Sequence, residues 1–297
     1  MNTGKKDRSW IVYLSTFPPR QCGMATFTAD LTSAIDQMLK PSVESKIIAM
    51  NLTEVSNFPY PDKVMLKISQ PREEDYVNAA LKLNRLKEVK LVNIQHEFGI
   101  FGGENGAHLL LFLEKLQKPV VITLHTVLPA PDEKMRNIVQ AMMNYSKGIV
   151  VMTHYSKRIL ERDYGLDSAK IQVIPHGIHH VPYRISEQAK SDLGFSGKLI
   201  LSTFGLLNPG KGIEYVIEAL PQVVKKFPNV KFLVIGATHP VVRVAPGIPL
   251  VYRSRGWDFG WLLPRTDGYV SRWLCDPYTL KFCKSKTRHA MRWFVGT

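Results

Sequence analysis

The chain is poor in cysteine, lacks any long apolar run, and in its last fifth is almost without acid. Cys22, Cys275 and Cys283 are the only three cysteines in 297 residues. They form neither a CxxC pair nor a Cys/His set with metal-ligand spacing, so a disulfide framework and a zinc site are excluded and reduced thiols are expected. No stretch reaches the ~18 apolar residues of a membrane span. The apolar run from Trp10 to Leu14 behind the basic start is too short for a secretory leader, which points to a cytoplasmic chain. No glutamate follows Glu218. What remains is globular in kind: 45% hydrophobic and 22% charged residues exclude disordered and fibrous classes and suffice for two domains of roughly 150 residues each.

A formal net charge of +14 suggests a nucleic-acid or membrane partner, but the charge is unevenly placed. Residues 241–297 hold ten Lys/Arg against three Asp, so the last fifth of the chain carries half the net charge. Arg outnumbers Lys there by seven to three, whereas residues 1–240 use 21 Lys and eight Arg. Four of the five tryptophans, Trp257, Trp261, Trp273 and Trp293, also fall in this segment, which shows neither helical nor strand periodicity. A basic aromatic interaction tail, a divergent piece of a domain and an out-of-frame translation are the three readings, and the third is the expectation. The rival function is nucleic-acid or membrane-surface binding through the Arg/Trp tail.

Before residue 240, short apolar runs alternate with helical patterns, the sequence form of βαβ units. Strands are expected at Trp10–Ser15, Lys46–Asn51, Lys63–Ile68, Lys90–Gln95, Val120–Leu124, Gly148–Met152, Ile171–Ile174, Leu199–Thr203 and Lys231–Ile235. Helices are expected at Ala25–Leu39, Glu73–Lys87, Asn105–Leu116, Glu133–Tyr145, Ser156–Tyr164 and Gly212–Lys225. Pro175, Gly177, Pro182 and the imidazoles His176, His179 and His180 interrupt the pattern as a hinge. The expected organisation is α/β with two Rossmann-like doubly wound parallel sheets: a first domain over 1–180, the start of a second over 181–240, left incomplete, and an aberrant tail over 241–297.

In open α/β sheets ligands bind outside the carboxyl ends of the strands, which directs attention to four loops. Gly23 opens a helix behind Arg20, where backbone N–H groups can approach an anionic or hydroxyl-rich ligand. His96 and Glu97 end one apolar strand and His125 ends the next, positions suited to binding a hydroxyl or carrying a proton. His96-Glu97 is not an HExxH metal motif, because Ile100 stands where the second His belongs. Gly205, Lys211 and Gly212 lie between a strand and a helix in a phosphate-favouring pattern. Gly212 replaces the hydroxyl residue that an ATPase P-loop would present to Mg²⁺.

These residues resemble family 4 of the retaining glycosyltransferases with the two-domain GT-B fold. The marks are PPRQCGMATF at 18–27, IQHE at 94–97, TLHT at 123–126, VMTHYSKRILERDYG at 151–165, VIPHGI at 173–178, FGLLNPGKGIEYVIEAL at 204–220 and KFLVIGATHP at 231–240. The resemblance implies a nucleotide-diphosphate sugar donor in the cleft between domains, a carbohydrate or lipid-linked acceptor, no metal and no nucleic acid. Relatives that act on lipid acceptors imply peripheral contact with the inner membrane. By resemblance His125 would bind the transferred sugar, His96 and Glu97 would face the acceptor, and Gly23 would let the first loop close toward the diphosphate. Gly205, Lys211 and Gly212 would hold the donor phosphates. The family commonly places an Arg where this chain has Leu206, so Arg20 is a candidate substitute cation. The family's downstream pair of donor-site glutamates has no counterpart here. A frameshift or truncation near Pro240 explains that loss together with the change of composition, and implies a chain of impaired or absent activity.

Overall fold

The computed structural model describes residues 8–54 and 58–238, together with the strand segments 251–254, 257–260, 270–275, 280–285 and 291–295. The chain divides into two compact units, Met1–His179 and His180–Thr297.

The first unit is built on seven parallel strands: β1 (Ser9–Ser15), β2 (Val43–Asn51), β3 (Val64–Ser69), β4 (Val89–His96), β5 (Val120–Leu124), β6 (Gly148–Val151) and β7 (Ile171–Val173). Their spatial order is β3-β2-β1-β4-β5-β6-β7. Alternation along β1 shows why the strands read as continuous apolar runs. Val12 and Leu14 enter one core with Ile48, Met50 and Ile94, while Tyr13 enters a second with Ile47, Ala49 and Phe17. Both faces of the sheet are therefore covered, as a parallel sheet requires. Each fully buried aliphatic side chain contributes about 1.5–3 kcal/mol, so the two cores together favour this register over any one-residue slip.

Five helices of the first unit connect these strands: α1 (Gly23–Leu39), α2 (Glu73–Asn84), α3 (His108–Lys115), α4 (Glu133–Tyr145) and α5 (His154–Tyr164). Local chemistry sets several of their ends. Asp132 caps α4 by accepting from the Met135 N–H at 2.7 Å, and Thr153 caps α5 by accepting from the Ser156 N–H at 2.9 Å. Gly165, left-handed at φ 65°, closes α5. The expected helix from Asn105 begins instead at His108. Gly103, Asn105 and Gly106 all have positive φ, which no α-helix admits. Likewise α2 stops at Asn84, before the expected Lys87.

The second unit contains α6 (Ser186–Asp192), β8 (Leu199–Leu207), α7 (Ile213–Lys226) and β9 (Val230–Thr238). β8 and β9 are parallel and α7 covers them through a small core of Leu207, Leu220, Phe232 and Val234. Leu199, Leu201 and Phe204 remain exposed on β8. Further strands absent from the expected pattern are β10 (Val251–Ser254), β11 (Trp257–Gly260), β12 (Val270–Cys275), β13 (Leu280–Ser285) and β14 (Met291–Val295). β10 pairs with β11, and the remaining sheet runs β13-β12-β14-β9-β8 with β14 antiparallel to β9. An open strand edge such as that of β9 pairs through backbone groups alone, without the alternation a sequence reading looks for. Residues 239–250 and the side chains that gave 241–297 its basic, aromatic character lie outside the described residues. Among the described residues no helix is long and apolar enough to cross a membrane.

Candidate functional site

The strand order reverses at β1. The chain leaves β1 toward β2 and β3 on one side, then returns to β4 on the other. Connections of opposite direction open a crevice outside the carboxyl ends of β1 and β4, the usual ligand position in such sheets. Loop 16–22, the tip after β4 and the tip after β5 gather there.

Gln95, His125, Phe27 and His176 form one cluster at these tips. Gln95 is fully buried near the end of β4, and its Oε1 lies 2.8 Å from His125 Nε2. Phe27, on α1, sets its ring edge-on to both imidazoles, 4.7 Å from His125 and 5.1 Å from His176 between centroids. The two imidazoles are 6.2 Å apart. Burial, reinforced by repulsion from His176, pushes His125 down to about 4, so the ring is neutral at physiological pH. A neutral imidazole can bind a hydroxyl or take a proton from one. His179 reaches away to Asp30 at 3.1 Å, so the hinge imidazoles seen in the sequence do not act as one group.

Glu97 and His96 part company. Glu97 accepts a hydrogen bond of 2.7 Å from Thr126 Oγ1, which joins the tip after β4 to the tip after β5. His96, expected beside Glu97 at the open tip, is fully buried. Its ring stacks on Phe101 at 5.5 Å and meets Phe98 edge-on at 4.9 Å. The correction has a simple cause: the turn at Phe98–Ile100 folds two aromatic side chains over the imidazole, while neighbouring strand residues point to opposite faces. Neither ring nitrogen has a protein partner, and burial pushes His96 down to about 3.

The loop after β4 is pinned to the β3–α2 turn. Tyr76 Oη accepts from the Gly102 N–H at 2.9 Å and donates to the Gln70 carbonyl at 3.0 Å. Gln70 Nε2 in turn donates to the Gly99 carbonyl at 3.0 Å. The approach is close enough that a Cβ on Gly102 would stand 1.9 Å from the Gln70 carbonyl oxygen.

Gly23 does open α1, behind Cys22, whose Sγ accepts from the Ala25 N–H at 3.4 Å. A Cβ on Gly23 would meet nothing within 4 Å, so open space lies in front of the helix start. Arg20 is tied to the end of β2, with Nη1 donating to the Met50 carbonyl at 2.8 Å. In the second unit Gly205 has φ 132° and pairs with Gly236, and a Cβ on Gly236 would lie 1.8 Å from the Gly205 carbonyl oxygen. Lys211 is exposed in the turn before α7, and Gly212, left-handed at φ 63°, caps that helix.

Thus the structure brings His125, Glu97, Gly23 and Arg20 to the carboxyl side of the first sheet, and Gly205, Lys211 and Gly212 to the carboxyl side of β8. Gln95 and Phe27 were missed as functional candidates. A polar residue immediately before a strand-end histidine was the available signal for Gln95. Phe27 reads as one more apolar helix residue. A cleft of about 370 Å³ lined by Asp36, Lys40, Glu44 and Lys63 lies at the amino end of β2, away from these tips. Its charges are largely paired, Lys63 with Asp36 at 2.7 Å and Lys46 with Glu44 at 2.6 Å.

Residues 56–181 match the family described as Glycosyltransferase Family 4. A D-inositol 3-phosphate glycosyltransferase from Segniliparus rotundus is 26% identical over 141 residues, which are 42% of this chain. The matched part is 31% of that relative, so the alignment spans about a third of its length. A crystal structure of a glycosyltransferase from Rickettsia africae shares the fold, with a TM-score of 0.50 at 17% identity over 73% of this chain and 57% of that one.

Proposed function

We propose, on the premise that residues 56–181 form a domain of glycosyltransferase family 4, that this chain descends from a retaining hexosyltransferase. Its donor is a nucleotide-diphosphate sugar, mannosyl or glucosyl, and its acceptor a hydroxyl of a carbohydrate or a lipid-linked glycan. The supporting observations are two pairs at the strand tips of a family 4 domain: the neutral imidazole of His125 against Gln95, and the Glu97 carboxylate accepting from the Thr126 hydroxyl. Such groups can donate to and accept from sugar hydroxyls, and the reading needs no metal.

In this reading the bond from the sugar to the diphosphate breaks with its electron pair leaving on the phosphate. The acceptor oxygen bonds to the same face of the sugar and passes its proton to the departing diphosphate, which has taken the electron pair. Positioning and electrostatic stabilisation supply the rate. His125 binds a hydroxyl of the transferred sugar and Glu97 orients the acceptor. Open space before Gly23 admits the donor to the start of α1. In the second unit Lys211 and the start of α7 stabilise charge on the leaving phosphate. His96, enclosed by Phe98 and Phe101, supports the tip from beneath and touches no substrate.

In this reading turnover is slow, because Leu206 replaces a customary cation and residues 219–297 contain no glutamate. Incubating the full chain with UDP- and GDP-hexoses and with sugar or lipid acceptors tests this. Release of nucleotide diphosphate should be slow, and any product should keep the donor's anomeric configuration. Turnover in the ordinary enzyme range of roughly 1–10³ s⁻¹ would overturn the impairment, and an inverted product would overturn retention.

A further inference from the structure

Gln95 occupies a position that decides what His125 can recognise. It is fully buried, so its carboxamide cannot rearrange freely against water. The amide nitrogen faces two oxygen acceptors, Asn93 Oδ1 and, at 3.4 Å, Thr123 Oγ1. With both N–H bonds directed there, the carboxamide presents its oxygen to the ring, 2.8 Å from Nε2. An oxygen acceptor at that distance requires a proton on Nε2. The ring is also shielded by the edge of Phe27 and faced by a second imidazole, His176, surroundings that disfavour a doubly protonated ring.

We propose that Gln95 is a positioning residue that holds His125 as the neutral tautomer protonated on Nε2, so that Nδ1 offers a lone pair and selects a hydroxyl donor over an anionic oxygen. A phosphate or carboxylate oxygen brought to Nδ1 would face a lone pair and lose the contact. A sugar hydroxyl can donate to it. The selection of a sugar hydroxyl rests on the glycosyltransferase reading, whereas the tautomer does not.

The tautomer is therefore read without turnover, in the full chain labelled with nitrogen-15 histidine. The His125 signals are assigned by their loss in a His125→Asn variant. At neutral pH the wild-type chain should show Nδ1 at the pyridine-like position and Nε2 at the pyrrole-like position. Gln95→Met keeps the side-chain shape and removes the acceptor, so both signals should move toward an exchange average. Gln95→Glu puts a carboxylate beside the ring in place of the neutral acceptor, which favours the doubly protonated imidazole, so Nδ1 should lose its pyridine-like position at a higher pH than in the wild type. A pyrrole-like Nδ1 or an averaged ring in the wild type overturns the proposal, as does a Gln95→Met spectrum unchanged from it. If Gln95→Met loses the native amide spectrum, the wild-type assignment alone decides. The expected tautomer together with no sugar transfer by residues 1–179 fused to the donor half of an active family 4 glycosyltransferase would count against the glycosyltransferase reading only.

Discussion

Thr126 Oγ1 donates to Glu97 Oε2 at 2.7 Å, a bond that ties the end of β5 to the end of β4 across 29 residues of sequence. It holds a carboxylate at the strand tips with part of its acceptor capacity already used. A hydrogen bond to an ionised group contributes about 1.5–3 kcal/mol. In an active fusion of this first unit, Thr126→Val should lower kcat/KM roughly 10-fold or more, while Thr126→Ser keeps most of it. Equal rates for Thr126→Val and the parent would remove Glu97 from the account.

Acid should unfold the first unit through its buried imidazoles. His96 and His125 are lowered in the folded state to about 3 and about 4, from an ordinary 6.5. Between those values the unfolded chain binds more protons, so the stability of neutral, buried rings is present above pH 6.5 and is lost as pH falls. His96 alone gives a slope of about 1.4 kcal/mol per pH unit over that window, and His125, which is only partly buried, adds less. Urea midpoints measured from pH 7 to pH 4 should fall steeply, and His96→Phe, which keeps the stack on Phe101, should flatten the fall. An identical slope in the variant would contradict the burial of His96.

Two glycines at the carboxyl end of the sheet should respond differently to alanine. At Gly102 the new methyl meets the Gln70 carbonyl oxygen at 1.9 Å, and neither backbone segment can yield cheaply. Gly102→Ala should cost about 2 kcal/mol or more, read as a lower urea midpoint. Gly23→Ala enters open space and should change stability by less than about 0.5 kcal/mol. Its expected effect is on donor binding: Gly23→Val should raise the donor KM of an active fusion without changing its unfolding midpoint. A Gly23→Val fusion with unaltered donor KM would place the donor elsewhere.

The change of composition near Pro240 makes a prediction about the gene. One of the two other reading frames downstream of that codon should continue a strand-and-helix pattern and encode a pair of glutamates. Finding no such continuation in either frame would make the Arg/Trp-rich segment the intended sequence and strengthen a surface-binding role.

The first sheet was legible because its strands are buried on both faces and read as unbroken apolar runs; Val12, Leu14, Ile48 and Ile94 announce themselves. The start of α3 was not, since Asn105 looks helical by composition and only its left-handed φ of 53° shows otherwise. The two strand-end histidines posed a harder problem. His96 and His125 sit at equivalent places in the sequence pattern, yet the Phe98–Ile100 turn closes over one and Phe27 merely edges the other. That difference depends on side chains from separate elements, which periodicity does not reveal. Gln95 was hidden for the same reason: its partners Asn93, Thr123 and His125 come from β4, β5 and the tip after β5.

The most direct test joins residues 1–179 to the intact donor half of an active family 4 glycosyltransferase and measures transfer from its nucleotide sugar across a panel of sugar and lipid acceptors. The same fusion carrying His125→Ala is measured beside it. The account expects transfer with retained configuration by the first and a loss of roughly 100-fold or more in the second. A folded fusion that glycosylates none of the acceptors, or one that works equally well without the His125 imidazole, would contradict it.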